Sequence, residues 1–187
     1  MKTLLLIRHG ETAGNGLRRY IGRTDEPLSP AGLEQARALG ELGLHADRVF
    51  VSPLLRCRQT AALAFPGQAQ IIVGGLRETD FGIFEGRSAA DMSDDPAYRR
   101  WVEGGCLGPI PGGDDPLAFR RRCVDAFLNC MALTPSGAAA ALVVHGGVLM
   151  AVLAALALPR RSFYESRLPN GSLLNCQYDG RNILFPA

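Results

Sequence analysis

The stretch Thr3-Leu4-Leu5-Leu6-Ile7-Arg8-His9-Gly10-Glu11-Thr12 decides the fold class of this 187-residue chain. Residues 3–7 form a short, continuously apolar run, which is typical of a strand buried on both faces of a parallel sheet. The run ends before Gly10, and an arginine and a histidine stand at its carboxyl end. Because ligands bind beyond the carboxyl ends of strands in open α/β sheets, this stretch predicts a central strand with a site beside it.

The segments that follow alternate between helical and strand patterns. Ser29-Pro30 is typical of a helix start, and apolar residues recur from there at helical spacing as far as Gly43. Two short apolar runs around Asp179-Gly180 predict a hairpin. Further strands are predicted over 48–52, 71–73 and 139–144, and helices over 54–64, 116–133 and 148–158. This alternation indicates one α/β domain over residues 1–187, a three-layer α/β/α sandwich with a mostly parallel central sheet.

Residues 78–115 differ in composition from the rest of the chain. They contain nine acidic residues and only three arginines, and glycines and prolines mark loops around one or two short helices between 88 and 103. We therefore expect a lid-like insertion at about 78–115. Its Arg99, Arg100 and Trp101 either contact a substrate or serve the lid itself, and an aromatic side chain that anchors a short helix is the commoner arrangement.

Charge and cysteine content exclude several classes of protein. Lys+Arg 20 against Asp+Glu 18 gives a net charge of +2, so no polyanion-coating function and no nucleic-acid partner are expected. The apolar stretch 138–158 contains His145-Gly146-Gly147 at its centre, which favours two buried elements over a membrane span. The five cysteines include no CxxC pair. They predict reduced thiols in a cytoplasmic protein, and the run before Arg8 is too short for a secretory leader.

Charged residues also follow two other predicted strands. Arg56 falls in the first turn of a helix, where a cation opposes the helix dipole unless it faces an anion. His145 follows the strand 139–144 and precedes two glycines, so two of the three histidines in the chain occupy equivalent strand ends. Asn15 offers a short amide that can donate to an anion. For Arg8-His9-Gly10 taken alone, a strand end with a solvated arginine and a satisfied histidine is the commoner arrangement, whereas the motifs together predict an anion site.

These motifs, taken in order, resemble the histidine phosphatase superfamily, also called the phosphoglycerate mutase-like family. The resemblance covers almost the whole chain. It rests on Arg8-His9-Gly10-Glu11-Thr12 with Asn15, Gly22 with Asp25, Pro27 and Leu28, Ser52-Pro53-Leu54-Leu55-Arg56-Cys57 with Thr60-Ala61, Leu76-Arg77-Glu78 through Glu85-Gly86, and Val144-His145-Gly146-Gly147. One departure is Gly113-Asp114-Asp115-Pro116, where many relatives have Gly-Glu-Ser.

The resemblance implies a role for each motif residue. His9 would be the nucleophile that forms a phosphohistidine, with its second ring nitrogen bonded to the Gly10 carbonyl. Glu78 would protonate the leaving oxygen, with Asp80 and Glu85 as weaker candidates for such a role. The phosphoryl oxygens would be held by Arg8, Arg56, Asn15, Gly22, Gly146 and a protonated His145.

The implied activity is that of a phosphomonoesterase acting on a small phosphorylated metabolite, with the α-ribazole phosphatase and broad-specificity branches the most similar. α-Ribazole 5'-phosphate is one possible substrate. The alternatives are a cofactor-dependent phosphoglycerate mutase and a non-catalytic phosphate-binding module. No metal, cofactor or membrane partner is expected, and the chain is compatible with a monomer or a homodimer. The charge run Arg120–Arg122 is expected to face solvent.

Overall fold

A computed structural model describes residues 1–186 as a central seven-stranded sheet with helices on both faces. The strands are β1 (Lys2–Arg8), β2 (Arg48–Val51), β3 (Gln70–Ile72), β4 (Ala139–Val144), β5 (Ala157–Leu158), β6 (Leu173–Tyr178) and β7 (Ile183–Leu184). The α-helices are α1 (Ala13–Gly16), α2 (Pro30–Glu41), α3 (Leu55–Ala64), α4 (Pro96–Glu103), α5 (Pro116–Ala132) and α6 (Gly146–Leu156). The mixed α/β class is as predicted.

The sheet has the strand order β3-β2-β4-β1-β6-β7-β5. β1 lies at its centre and pairs in parallel with β4 and antiparallel with β6. β2 pairs in parallel with both β3 and β4. Because β1, β4 and β2 are neighbours with the same direction, their carboxyl ends meet at one edge of the sheet.

Two separate apolar cores make the three layers. Leu4 and Leu6 of β1 pack with α5 and α6 on one face. Leu5 and Ile7 of the same strand pack with α2 and α3 on the other face. Successive side chains of a strand point to opposite faces, so an uninterrupted apolar run is required where both faces are covered. The prediction of a buried central strand is confirmed.

The largest differences from the predicted elements lie around residue 146. The predicted helix 148–158 begins at Gly146 and ends at Leu156, and Ala157–Leu158 form an edge strand. The predicted helix begins two residues too late because Gly146 and Gly147 have low helix propensity and are therefore typical of a loop. Within the described chain, 1–186, no helix combines the length and hydropathy that crossing a bilayer requires.

The segment 78–115 has a small apolar core of its own. Phe84, Met92, Tyr98 and Ile110 are buried together, and Trp101 packs against them. The Trp101 Nε1–H donates to the Gly108 carbonyl over 3.1 Å. In this structure Trp101 therefore anchors the segment, and a movement of the segment as a lid stays a prediction.

Candidate active site

The edge formed by the carboxyl ends of β1, β2 and β4 gathers the predicted site residues. His9 follows β1, Arg56 lies in the first turn of α3 after β2, and His145 follows β4. The side chains are enclosed, with His9 3%, Arg56 0% and His145 0% exposed. The imidazole rings of His9 and His145 meet edge to face, with centroids 5.1 Å apart. The motifs therefore form one buried, positively charged site.

His9 is held in a single tautomer by its own backbone neighbour. Its Nδ1 lies 2.7 Å from the Gly10 carbonyl oxygen, which can only accept, so Nδ1 carries the proton. Nε2 is thereby left with a free electron pair. Burial, together with the neighbouring positive charges of Arg56 and Arg8, lowers the pKa of His9 to about 3. An unprotonated Nε2 is the form of the ring that can act as a nucleophile.

Gly10 must be a glycine because the chain passes very close to helix α2 at this point. A Cβ atom on Gly10 would lie 2.4 Å from the Gly32 carbonyl oxygen. The Gly10 N–H donates to the Thr60 hydroxyl over 3.0 Å, and this hydroxyl donates to the Arg56 carbonyl over 2.7 Å. The turn that carries His9 is therefore fixed to the helix that carries Arg56.

His145 is bonded on both ring nitrogens. The Arg56 Nε–H donates to Nδ1 over 3.3 Å, so Nδ1 is an acceptor and Nε2 donates to the Ser52 hydroxyl over 2.7 Å. Burial lowers the pKa of His145 well below its ordinary value, and the charge of Arg56 adds to this effect. In this structure His145 is therefore neutral, because a second ring proton would face the guanidinium, and its protonation beside a bound phosphoryl group stays a prediction.

Arg56 is oriented by the loop that follows α1. Its Nη2 donates to the Gly22 carbonyl and its Nη1 to the Thr24 carbonyl, each over 2.8 Å. The Gly22 N–H donates to the Glu85 carboxylate over 2.8 Å. Gly22 thus contacts Arg56 through its carbonyl, and its predicted role in holding substrate stays a prediction.

The Arg8 guanidinium has one buried N–H group without a hydrogen-bond partner in the described structure. Its Nη1 donates to the Leu168 carbonyl over 2.6 Å, whereas its buried Nε–H has no hydrogen-bond partner within residues 1–186. Burial lowers the pKa of Arg8. A Cβ atom on Gly146 would lie 3.4 Å from Arg8 Nε, so the guanidinium packs against the start of α6. A buried, unpaired donor is costly, and an anion at this position would satisfy it.

Glu78 lies at the amino end of α6. Its carboxyl group accepts from the N–H groups of Gly147 and Thr79, each over 3.0 Å. Burial raises the pKa of Glu78, and these hydrogen bonds offset only part of that effect. A carboxyl group with a raised pKa can retain a proton for donation.

Arg122 binds the backbone that precedes Glu78, which differs from its predicted exposure to solvent. Its Nη1 donates to the carbonyls of Gly75 and Arg77 over 3.0 and 2.9 Å, and its Nη2 pairs with Asp114 over 3.1 Å. Arg122 therefore fixes the backbone that leads to Glu78, and the expectation that all of Arg120–Arg122 faces solvent is wrong. Asp114, part of the departure from the family pattern, holds both Arg122 and the Asp80 N–H.

Asn15 is held by a residue that the sequence interpretation missed. Its Oδ1 accepts from the Thr12 N–H over 3.2 Å and from Asn170 Nδ2 over 3.1 Å, which leaves its own amide N–H groups available as donors. Asn170 Nδ2 also donates to the His9 carbonyl over 3.2 Å. The only sequence signal is Asn170-Gly171, a turn dipeptide just before β6.

Other candidates lie elsewhere. His45 is exposed and 3.9 Å from Asp47, and Arg99 pairs with Asp94 over 2.5 Å. Asp80 pairs with Arg23 over 3.1 Å. Within the described residues, no three histidine, cysteine or acidic side chains converge so that they could hold a metal ion.

Comparison with known proteins identifies the family. The model of the family described as "Histidine phosphatase superfamily (branch 1)" matches residues 4–185. The chain belongs to the histidine phosphatase superfamily.

Two curated relatives illustrate the two activities named in this family, mutase and phosphatase. It is 34% identical to the probable phosphoglycerate mutase GpmB of Klebsiella pneumoniae strain 342, over 95% of this chain and 86% of that protein. It is 35% identical to the adenosylcobalamin/alpha-ribazole phosphatase of Salmonella typhimurium, over 90% of this chain and 86% of that protein.

Solved structures divide in the same way. The alpha-ribazole phosphatase from Shigella flexneri superposes with a TM-score of 0.87 at 29% identity, over 98% of this chain and 94% of that one. The phosphoglycerate mutase from Thermus thermophilus has a TM-score of 0.75 at 37% identity, over 97% of this chain and 96% of that one. The family supports phosphatase or mutase activity and a phosphoglycerate mutase-like fold.

Proposed function

We propose that this protein is a phosphomonoesterase that transfers the phosphoryl group of a small phosphorylated metabolite to His9 and then to water. The observation that carries the proposal is the hydrogen bond from His9 Nδ1–H to the Gly10 carbonyl over 2.7 Å. It leaves an unprotonated Nε2 in a buried site beside Arg8 and Arg56. A neutral imidazole nucleophile among fixed cations suits attack on an anionic phosphoryl group.

The reaction has two steps. His9 Nε2 attacks phosphorus in line with the leaving oxygen, the bond to that oxygen breaks, and Glu78 gives the oxygen its proton. Water then attacks the phosphohistidine, the Glu78 carboxylate takes a proton from that water, and inorganic phosphate leaves. The raised pKa of Glu78 supports the first role.

The remaining site residues bind the phosphoryl oxygens. The unpaired Nε–H of Arg8 and the free amide hydrogens of Asn15 are donors without a competing partner in the described chain. A phosphoryl dianion beside His145 favours the protonated imidazole, so substrate binding would raise the pKa of this ring. Gly146 contributes the N–H of the first residue of α6.

A phosphoglycerate mutase is the second candidate. The 34% identity to the Klebsiella GpmB protein favours it. The higher TM-score of the Shigella alpha-ribazole phosphatase supports a phosphatase and makes α-ribazole 5'-phosphate the first substrate to test. A non-catalytic phosphate-binding module is less well supported, because it would not need the poised Nε2 of His9 or the raised pKa of Glu78.

One assay separates these candidates. Purified protein is incubated with EDTA and, in turn, α-ribazole 5'-phosphate, p-nitrophenyl phosphate and 3-phosphoglycerate. We expect release of inorganic phosphate in the presence of EDTA, because Arg8 and Arg56 already supply the charge that a metal would bring. We also expect little formation of 2-phosphoglycerate from 3-phosphoglycerate. Isomerisation faster than phosphate release would establish the mutase, and binding of phosphate without turnover would establish the binding module. Loss of turnover with EDTA would contradict the charge argument.

A further inference from the structure

Glu85 lies in the lid-like segment and binds backbone groups of the loop 22–24. Its Oε1 accepts from the N–H groups of Gly22 and Thr24 over 2.8 and 2.9 Å. Its Oε2 accepts from the Phe81 N–H over 3.2 Å. Both oxygens of the carboxylate thus accept from backbone N–H groups, and two of these three donors belong to the loop 22–24.

The same two loop residues hold Arg56 from the other side. The carbonyls of Gly22 and Thr24 accept from Arg56 Nη2 and Nη1, each over 2.8 Å. Residues 23–25 are exposed, and their side chains hold the loop at other points: Asp25 accepts from the Leu55 N–H over 2.6 Å, and Arg23 pairs with Asp80 over 3.1 Å. Neither contact involves the backbone of Gly22 or Thr24. One carboxylate oxygen therefore fixes the two residues whose carbonyls fix one guanidinium.

We propose that Glu85 is a positioning residue for Arg56 and acts on it through the backbone of Gly22 and Thr24. This inference rests on the proposed function, in which Arg56 binds the phosphoryl group. The guanidinium is fully buried and donates to His145 as well, so a displaced loop leaves it with two unsatisfied donors beside the nucleophile.

The pattern of acceptors predicts which substitutions are tolerated. Both loop N–H groups bind the same atom, Oε1, which the amide oxygen of a glutamine can replace. Glu85→Gln therefore keeps the contacts to the loop and loses only the one to Phe81. Glu85→Ala removes all three, and a guanidinium displaced by about 1 Å can cost about 10²-fold in rate.

Asp95→Ala is the matched control. Asp95 lies in the same segment and also accepts three hydrogen bonds, from the N–H groups of Ala97 and Tyr98 and from Arg87. Within the described residues, its side chain makes no hydrogen bond or ion pair with the loop 22–24. Its removal tests whether any loss of acceptors from this segment impairs the enzyme.

The test compares kcat/KM for p-nitrophenyl phosphate and the inhibition constant for inorganic phosphate in these variants. We expect Glu85→Ala to lower kcat/KM by about 10²-fold and to weaken phosphate inhibition, while Glu85→Gln restores most of both. Asp95→Ala should lower the melting temperature and leave both parameters near the wild-type values. Equal losses in Glu85→Ala and Asp95→Ala would overturn the proposal, as would a Gln variant no better than Ala.

A double-mutant cycle with Arg56→Lys separates failure of this proposal from failure of the proposed function. If Glu85 acts through Arg56, Glu85→Ala lowers activity little further once Arg56 is lysine. If the two losses multiply, Arg56 still serves catalysis and the positioning role is wrong. If Arg56→Lys and Arg56→Ala both retain full activity, Arg56 does not bind the phosphoryl group and Glu85 has nothing to position. If the wild type itself releases no phosphate from p-nitrophenyl phosphate, the proposed function is wrong.

Discussion

Arg56 Nε–H donates to Nδ1 of His145 over 3.3 Å, which joins the end of β2 to the end of β4 inside the site. The bond requires a neutral imidazole, so the permanently charged guanidinium keeps its neighbour uncharged until an anion arrives. The site therefore contains two arginines but no charged histidine, since His9 is neutral as well. An incoming phosphoryl group thus meets fixed guanidinium charge and an imidazole that is ready to attack.

Replacing His9 by alanine should abolish phosphate release without unfolding the protein. Because Nε2 of His9 is the group with a free electron pair, no other described side chain offers the same nucleophile in its place. Phosphate release and circular dichroism measure the two outcomes, and mass spectrometry under acid-sparing conditions should find phosphate on His9 of the wild type. His45→Ala, an exposed histidine, is the control and should behave as wild type. Undiminished turnover in His9→Ala would refute the nucleophile assignment.

Glu78→Gln should slow esters with poor leaving groups by ~10² to 10⁴, and aryl phosphates far less, because an aryl oxide hardly needs a proton. The raised pKa of Glu78 also sets a sign for pH. The wild-type rate on the alkyl ester, relative to the aryl ester, should fall as pH rises through that pKa, since the acid is lost. In Glu78→Gln this ratio should not vary with pH. Equal slowing of both esters would assign Glu78 a structural role instead.

Gly147→Ala should impair catalysis more than Gly146→Ala, although the two residues are neighbours in the first turn of α6. A Cβ atom on Gly147 would lie 2.3 Å from Glu78 Oε1, whereas one on Gly146 would lie 3.4 Å from the nearest Arg8 atom. The first substitution displaces the proton donor, and the second is nearly accommodated. kcat/KM for an alkyl phosphate measures the difference. The reverse order of activities would show that Glu78 adapts freely.

The neutral His145 should make stability depend on pH. Its folded pKa is depressed, so below the unfolded value of about 6.5 only the unfolded chain gains the proton and stability falls as pH falls. His145→Gln lacks this proton. Below about pH 6 the wild type should lose about 1.4 kcal/mol per pH unit relative to the variant, as measured by urea unfolding. Parallel pH dependences would indicate that His145 is already protonated in the fold.

The sequence by itself determined the fold class and predicted the principal site residues. The run 3–7 predicted the central strand, and Ser29-Pro30 predicted a helix start that the structure places at Pro30. These signals are local: a buried strand needs consecutive apolar residues, and a helix start needs a side chain that accepts from its first N–H groups. Because ligands bind beyond the carboxyl ends of strands in open α/β sheets, the sequence also predicted that Arg8, His9, Arg56 and His145 lie at one edge of the sheet.

Only the tertiary structure decided how these groups are held and charged. The protonation of His145 depends on Arg56, the orientation of Asn15 on Asn170, and the backbone before Glu78 on Arg122. Each contact joins residues 45 to 155 positions apart. Burial and hydrogen-bond partners at such separations follow from how the sheet and helices pack, and they set the pKa of a side chain more strongly than its sequence neighbours do.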